Sequence, residues 1–402
     1  MNKRSVKSAS SQGAERVEWR GRAAVRLSTG VIELTALNGG GHIAELRFAR
    51  DAGRPQANLL WESSWEGAAP STLRARRLAA KYGPKGVGEF LASYTGHALC
   101  LDYFGMPSAE EVRRGMPLHG EAASANWRAI HRASRPATAS AAWQAELPSA
   151  ELVFEREIEL RQGEGVAVFR ESVTNRRPAD HYFHWVQHAA FGAPFLDPEC
   201  SQVFISGTRA KTWPFGYEGK SLVSADREFQ WPHAPREKGG DADLSIPFQE
   251  PETGFVASVL LDAEREIQFV AALNWRLGLL GGYVFSGKDF PWVAVWEENC
   301  ARGYAPWNGK TRVRGMEFGS TPMPIGKDAT FLAGKLFDTP CWKRIPAKGA
   351  ELVVYAAFLA EAPKGWRSVR DVRTAKDGLV ITGGDAGEMV TIAARGISEL
   401  QG

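Results

Sequence analysis

Leu152-Val-Phe-Glu-Arg-Glu-Ile-Glu-Leu-Arg161, Gln162-Gly-Glu-Gly165 and Val166-Ala-Val-Phe-Arg-Glu-Ser-Val-Thr-Asn175 follow one another without interruption. In the first run Leu152, Phe154, Ile158 and Leu160 alternate with charged residues, the period of two expected when one face of a strand is buried. Gly163 and Gly165 mark a turn, so the third run is the return strand of a hairpin. The same signal recurs along the chain. Residues 26–48 hold two short strands parted by the flexible glycines 39–41. Further strands are expected at 182–188, 202–205, 254–261, 266–273, 292–297, 311–318, 352–358 and 379–393. Helical signals are few. Ser108 before Glu110 and Glu111 resembles an N-cap with an acidic first turn, residues 68–81 read as a short helix or ordered loop, and 362–378 as a surface helix entered at Pro363. Many strands without a βαβ rhythm predict an all-β fold, a large antiparallel β-sandwich with few short helices. No shift in composition marks a linker. Residues 16–402 therefore read as one domain, with 346–402 as an appended or sheet-completing β segment and 1–15 as a polar, disordered tail.

Composition narrows the partners. The 402 residues carry 49 basic and 46 acidic side chains, a formal charge of +3. That balance supplies no field that would steer nucleic acid or an anionic membrane to the surface. No apolar run approaches the roughly 18 residues of a membrane span, and no apolar stretch follows the polar N-terminus as in a secretory signal, so the expected location is cytoplasmic. Cys100, Cys200, Cys300 and Cys341 lack paired spacing and read as reduced thiols, not a disulfide scaffold or a thiolate metal site. Fourteen tryptophans exceed what a core requires. Indole faces can stack on the C–H faces of a sugar, although any one of them can equally fill the core. Whether the chain is a monomer or a homodimer is left open.

Three segments could carry chemistry. Met116-Pro-Leu-His-Gly-Glu121 sets a histidine beside a glycine, which allows a ligand to approach the backbone. Asp180-His-Tyr-Phe-His-Trp-Val-Gln-His188 places His184 and His188 on one strand face. Two such histidines could bind a metal, but no third ligand is named by the motif. A histidine acting as general acid needs no metal, and satisfied core histidines are the structural alternative. In Thr311-Arg-Val-Arg-Gly-Met-Glu-Phe-Gly-Ser-Thr-Pro322, alternation sets Val313, Gly315 and Glu317 opposite Arg312, Arg314 and Met316. A glutamate sharing a face with valine and glycine is a credible carboxylate base, with an edge glutamate in solvent as its alternative. Trp292-Val-Ala-Val-Trp-Glu-Glu298 offers Trp296 as a stacking platform and Glu297 or Glu298 as a second carboxylate for a paired-carboxylate glycosidase.

Together these segments resemble the aldose 1-epimerase (galactose mutarotase) superfamily, with some likeness to its hexose-phosphate epimerase branch. The resemblance rests on Gly96-His-Ala-Leu-Cys-Leu-Asp-Tyr-Phe-Gly-Met-Pro107, on Leu118-His-Gly-Glu121 with Trp127, on the His188 segment, and on Gly315-Met-Glu-Phe-Gly-Ser-Thr-Pro322. It implies a supersandwich fold and a cofactor-free reaction on a small-molecule carbohydrate, the reversible opening of a sugar hemiacetal. His119 is similar to the histidine that polarises the ring oxygen, His188 to the general acid, and Glu317, with Pro322 five positions on, to the base. His184 competes with His188 for its role. Asp102, Tyr103, Trp127, Trp296 and Arg74 are second-line candidates for holding hydroxyls or a ring face. The chain departs from true mutarotases at Gln187-His188-Ala-Ala-Phe-Gly192, where they carry asparagine-histidine and a serine-tyrosine-phenylalanine-asparagine run. The alternatives are a non-catalytic carbohydrate-binding or regulatory protein, and a glycoside hydrolase or polysaccharide lyase on a related sandwich.

Overall fold

A computed structural model describes residues 12–50, 53–72 and 81–401. Two antiparallel sheets dominate it. The larger has fourteen strands, and its centre consists of β1 (His97–Asp102), β2 (His181–Gly192), β3 (Thr253–Leu261), β4 (Trp292–Asn299) and β5 (Arg312–Gly319), lying side by side in the order β1-β2-β5-β4-β3. Four N-terminal strands spanning 13–48 extend it beyond β1, and shorter strands from 207–243 extend it beyond β3. The second sheet has eight strands and contains the hairpin Leu152–Arg161 and Val166–Asn175, paired from Leu152↔Asn175 to Leu160↔Ala167.

Alternation explains how the sheets stack. Phe183, Trp185, Ala189 and Phe191 of β2 join Met316 and Phe318 of β5 in the core between the sheets. They meet Phe169, Tyr283 and Tyr355 from the eight-stranded sheet. The even-numbered residues of β2 therefore face the other way, out of the sandwich. Glu317 shares that outward face by the same rule. A polar knot is buried inside the core. The Arg156 guanidinium donates to Glu171 at 2.6 Å, and Gln187 Nε2 donates to the same carboxylate at 2.6 Å.

The C-terminal residues extend this plan. Ala350–Glu361 lies between Val166–Asn175 and Leu279–Phe285 inside the eight-stranded sheet. A three-stranded sheet of Val369–Ala375, Gly378–Gly383 and Glu388–Ala393 covers that sheet's outer face, with Trp366, Val372 and Ile381 packed on Phe269, Val284 and Phe358. The helix expected at 362–378 is thus a strand. A bulge between Val369 and Asp371 interrupts the alternation and turns both Val369 and Val372 inward, so the local pattern loses its strand period.

Helices are short, at Gly88–Ser93 (α1), Ala109–Arg114 (α2) and Lys327–Ala333 (α3). The α2 cap is the one expected. Ser108 Oγ accepts from the Glu111 N–H at 3.2 Å, and the Glu111 carboxylate accepts from the Ser108 N–H at 2.9 Å. In the segment 68–81, Pro70–Thr72 forms one 3-10 turn, and 73–80 lie outside the described residues. At the other end, residues 13–15 belong to the strand Gly13–Trp19, not to a tail, while 1–11 also lie outside the described residues.

Candidate active site

The outward face of the large sheet carries a cavity of about 210 Å³. Strand register builds its floor. Pairing of Gln187 with Phe318 and of Ala190 with Gly315 sets His188 of β2 directly opposite Glu317 of β5. Side chains opposite one another on one sheet face touch, and His188 Nε2 lies 3.2 Å from Glu317 Oε1. The contact is within ion-pair range but out of hydrogen-bond alignment, so Glu317 Oε1 has no hydrogen-bond partner among the described residues. Gly315 leaves the space that the Glu317 carboxylate occupies, since a Cβ there would collide with it.

Two further contacts fix the imidazoles. Tyr94, at the end of α1, places its hydroxyl 3.1 Å from His188 Nδ1. His119 arrives from the loop after α2 in the left-handed region at φ +64°. Its N–H donates to the Gly105 carbonyl at 3.1 Å, and the Gly105 N–H donates back to His119 Nδ1 at 3.2 Å. A backbone donor on Nδ1 fixes the tautomer, so His119 carries its proton on Nε2. The His119 and His188 rings meet edge to face at 5.1 Å, and Phe90 packs 4.8 Å from His119.

Burial sets the electrostatics. His188 is pushed down to about 3, and His119 well below its usual value, first by desolvation and then by the neighbouring His188 and Arg302. Desolvation pushes the Glu317 carboxyl well above the usual range. His188 and Glu317 touch, so they titrate as a pair, and burial favours the form in which both are neutral and the shared proton sits on the carboxyl.

Aromatic side chains wall the cavity. Trp296 stands 5.8 Å from His188, and its indole N–H donates to Tyr217 Oη at 2.9 Å. Tyr217 Oη in turn donates to Glu298 at 2.8 Å. The Arg302 guanidinium lies 4.9 Å from the ring centres of both Tyr217 and Trp307.

The fold matches solved structures. A Klebsiella pneumoniae protein provisionally named an aldose 1-epimerase superposes with a TM-score of 0.62 at 15% identity, over 85% of this chain and 80% of that one. A galactose mutarotase-like protein from Clostridium acetobutylicum gives 0.58 at 12% identity, over 87% and 99%. The fold is galactose mutarotase-like. No protein-family model matches the sequence, and no curated protein does.

On this mutarotase-like sandwich, His119, His188, Glu317 and Trp296 come together on the cavity. Asp102, Tyr103, Trp127 and His184 do not line it. Asp102 is buried, with one oxygen 2.6 Å from His181 Nε2 and bonded to the Lys327 ammonium. Burial alone would raise its carboxyl, but Lys327 and His181 hold it well below the usual range. Tyr103 directs its hydroxyl to Glu111 at 3.2 Å. Trp127 is core, with its indole N–H on the Ala122 carbonyl at 2.8 Å. His184 shares the strand face of His188 but accepts from the Phe104 N–H at 3.1 Å and packs against Phe331 on α3. Arg74 lies outside the described residues. Neither glutamate of β4 reaches the cavity wall. Glu297 faces the core beside Arg314, and Glu298 holds Tyr217 and the Arg302 N–H. Among the described residues no group of three His, Cys, Asp or Glu side chains could hold a metal.

Sequence reasoning missed Tyr94, Tyr217, Arg302 and Trp307. Only the last two carried a signal, in Ala301-Arg-Gly-Tyr-Ala-Pro-Trp307 directly after the aromatic strand β4.

Proposed function

We propose that the cavity opens and recloses a sugar hemiacetal, with Glu317 as base and His188 as acid. The 3.2 Å contact between His188 and Glu317, beside the His119 ring, carries this reading. In the reactive form the pair is carboxylate and imidazolium. Glu317 takes the proton of the anomeric hydroxyl while His188 Nε2 gives its proton to the ring oxygen. The C1–O bond breaks, the aldehyde forms, and the pair becomes carboxylic acid and neutral imidazole. Rotation about C1–C2 presents the other carbonyl face, and the same proton movements reverse to close the ring.

Burial suits this cycle. It disfavours both charges, and both vanish together as the ring opens. The His119 Nε2–H donates to the ring oxygen without changing protonation state. The free space is below the roughly 300–1,000 Å³ usual for drug-sized ligands, which favours one sugar ring over a chain. Trp296 supplies a face for the ring's C–H edge.

Anomerisation of aldoses, followed by polarimetry, tests the reading. Glu317→Gln should lower kcat by about 10²–10⁴-fold, the usual contribution of a general base. An unchanged rate on an active substrate would remove Glu317 from the role.

A further inference from the structure

A second cavity of about 240 Å³ lies apart from the candidate active site, and among the described residues the two share no lining residue. It lies where the end of β1, the start of β2 and the start of α3 meet, with Asp102, His181 and Lys327 on its wall. Its volume is close to the 210 Å³ of the active-site cavity, so it too has room for one ring-sized molecule.

The Asp102 carboxylate is only half used. Its Oδ2 accepts from the Lys327 ammonium and stands 2.6 Å from His181 Nε2. Its Oδ1 is buried and has no hydrogen-bond partner among the described residues. A buried carboxylate oxygen is costly to leave unpaired, so this atom calls for a donor. Lys327 offers the reverse. Its ammonium carries three hydrogens, one of which goes to Asp102 Oδ2. Both carboxylate oxygens sit on one carbon, so the free acceptor and the ammonium are neighbours.

That pairing matches a vicinal diol. A hydroxyl can donate and accept. Of two hydroxyls on adjacent carbons, one can donate to Oδ1 while the other accepts from Lys327 Nζ. One molecule then makes both bonds, where separate waters would each be immobilised. Arg114 and Arg177 stand on the same wall, with Glu110 at 3.0 Å and Glu151 at 3.6 Å. Their remaining N–H groups are donors for hydroxyl oxygens farther along the same molecule.

We infer that this second cavity binds a polyol or sugar through a vicinal diol clamped between Asp102 and Lys327. The inference stands apart from the ring-opening reading, since it needs neither an anomeric carbon nor a proton transfer.

Isothermal titration calorimetry of the full chain tests it with myo-inositol, cis- and trans-1,2-cyclohexanediol, and 1,4-cyclohexanediol. None of these has an anomeric carbon, and the cyclohexanediols differ only in hydroxyl placement. Myo-inositol should bind saturably, and at least one 1,2-diol should bind about tenfold more tightly than the 1,4-diol, the effect of one hydrogen bond lost. Combining Asp102→Asn with Lys327→Met removes both ends of the clamp and should weaken myo-inositol by about tenfold or more. Absent binding, equal affinity for the 1,2- and 1,4-diols, or full affinity in the double variant would overturn the inference. If the double variant does not fold, hydrogen–deuterium exchange of the wild type decides. Exchange at 101–104 and 325–330 slowed by myo-inositol, relative to the 1,4-diol at equal concentration, upholds the site, and unchanged exchange there overturns it.

Discussion

At the scale of single residues, His188 depends on a side chain from another segment. In the proposed cycle an imidazole that exchanges a proton through Nε2 keeps its other hydrogen on Nδ1, and the Tyr94 hydroxyl oxygen at 3.1 Å is placed to accept it. Tyr94→Phe keeps the ring that stacks on Phe90 at 4.7 Å and removes only this bond. We expect kcat to fall about tenfold, the effect of one lost hydrogen bond on a barrier, with the melting temperature little changed. An unaltered pH–rate profile in the variant would show that the hydroxyl does not orient His188. In the wild type, the reactive pair holds one proton. The profile should therefore be bell-shaped, and its alkaline limb should mark loss of that proton from a carboxyl that burial has raised. A rate that climbs without limit on the alkaline side would exclude the shared-proton pair.

At the scale of elements, two features hold the site in place. In β5, Gly315 faces Trp296 on one side and Ala190 on the other, and its missing side chain makes room for the Glu317 carboxylate. Gly315→Ala should push that carboxylate aside and lower kcat by about 10²-fold, the cost of misplacing a reacting group by about 1 Å, while thermal unfolding confirms an intact fold. The second feature is the tie between the end of β1 and the start of α3, where Asp102 holds His181 and Lys327. The chain on either side of this tie, at Gly105, Met106 and Pro324, lines the cavity. Lys327→Met leaves a buried carboxylate with one partner fewer and should destabilise the protein by about 3 kcal/mol in chemical denaturation. Adding Asp102→Asn should recover part of that loss, because the uncompensated charge is then gone.

Across the whole molecule, buried histidines govern the response to acid. His42, His184 and His188 are pushed down to about 3, and His97 and His119 well below their usual value, in each case first by desolvation. A depressed histidine is neutral in the folded chain while its unfolded counterpart takes up a proton below about pH 6.5. The stability these groups contribute is therefore complete above that pH. It is lost progressively as pH falls toward 3, by about 1.4 kcal/mol per pH unit for each histidine. Melting temperature should drop steeply between about pH 6.5 and pH 5, before ordinary carboxylates titrate. A flat curve there would show that these histidines keep ordinary values in the folded chain.

The sequence by itself determined what depends on local period. Alternation made Leu152–Arg161 and Val166–Asn175 a hairpin and placed Glu317 on the face of β5 opposite Met316. Ser108 and Glu111 specified the cap of α2. The alternation that gave His188 its face gave the same face to His184, because parity cannot tell apart residues separated by an even number of positions. It failed at Val369–Ala375, where a bulge breaks the period. Only the tertiary structure decided register and convergence. Sliding β5 by two residues along β2 would preserve every face yet separate Glu317 from His188, and what fixes that register is the packing of both strands against the second sheet. Tyr94, Tyr217 and Arg302 reach the cavity from segments whose local patterns carry no trace of one another. Their positions follow from where the packed sheets bring those segments, which strand period does not encode.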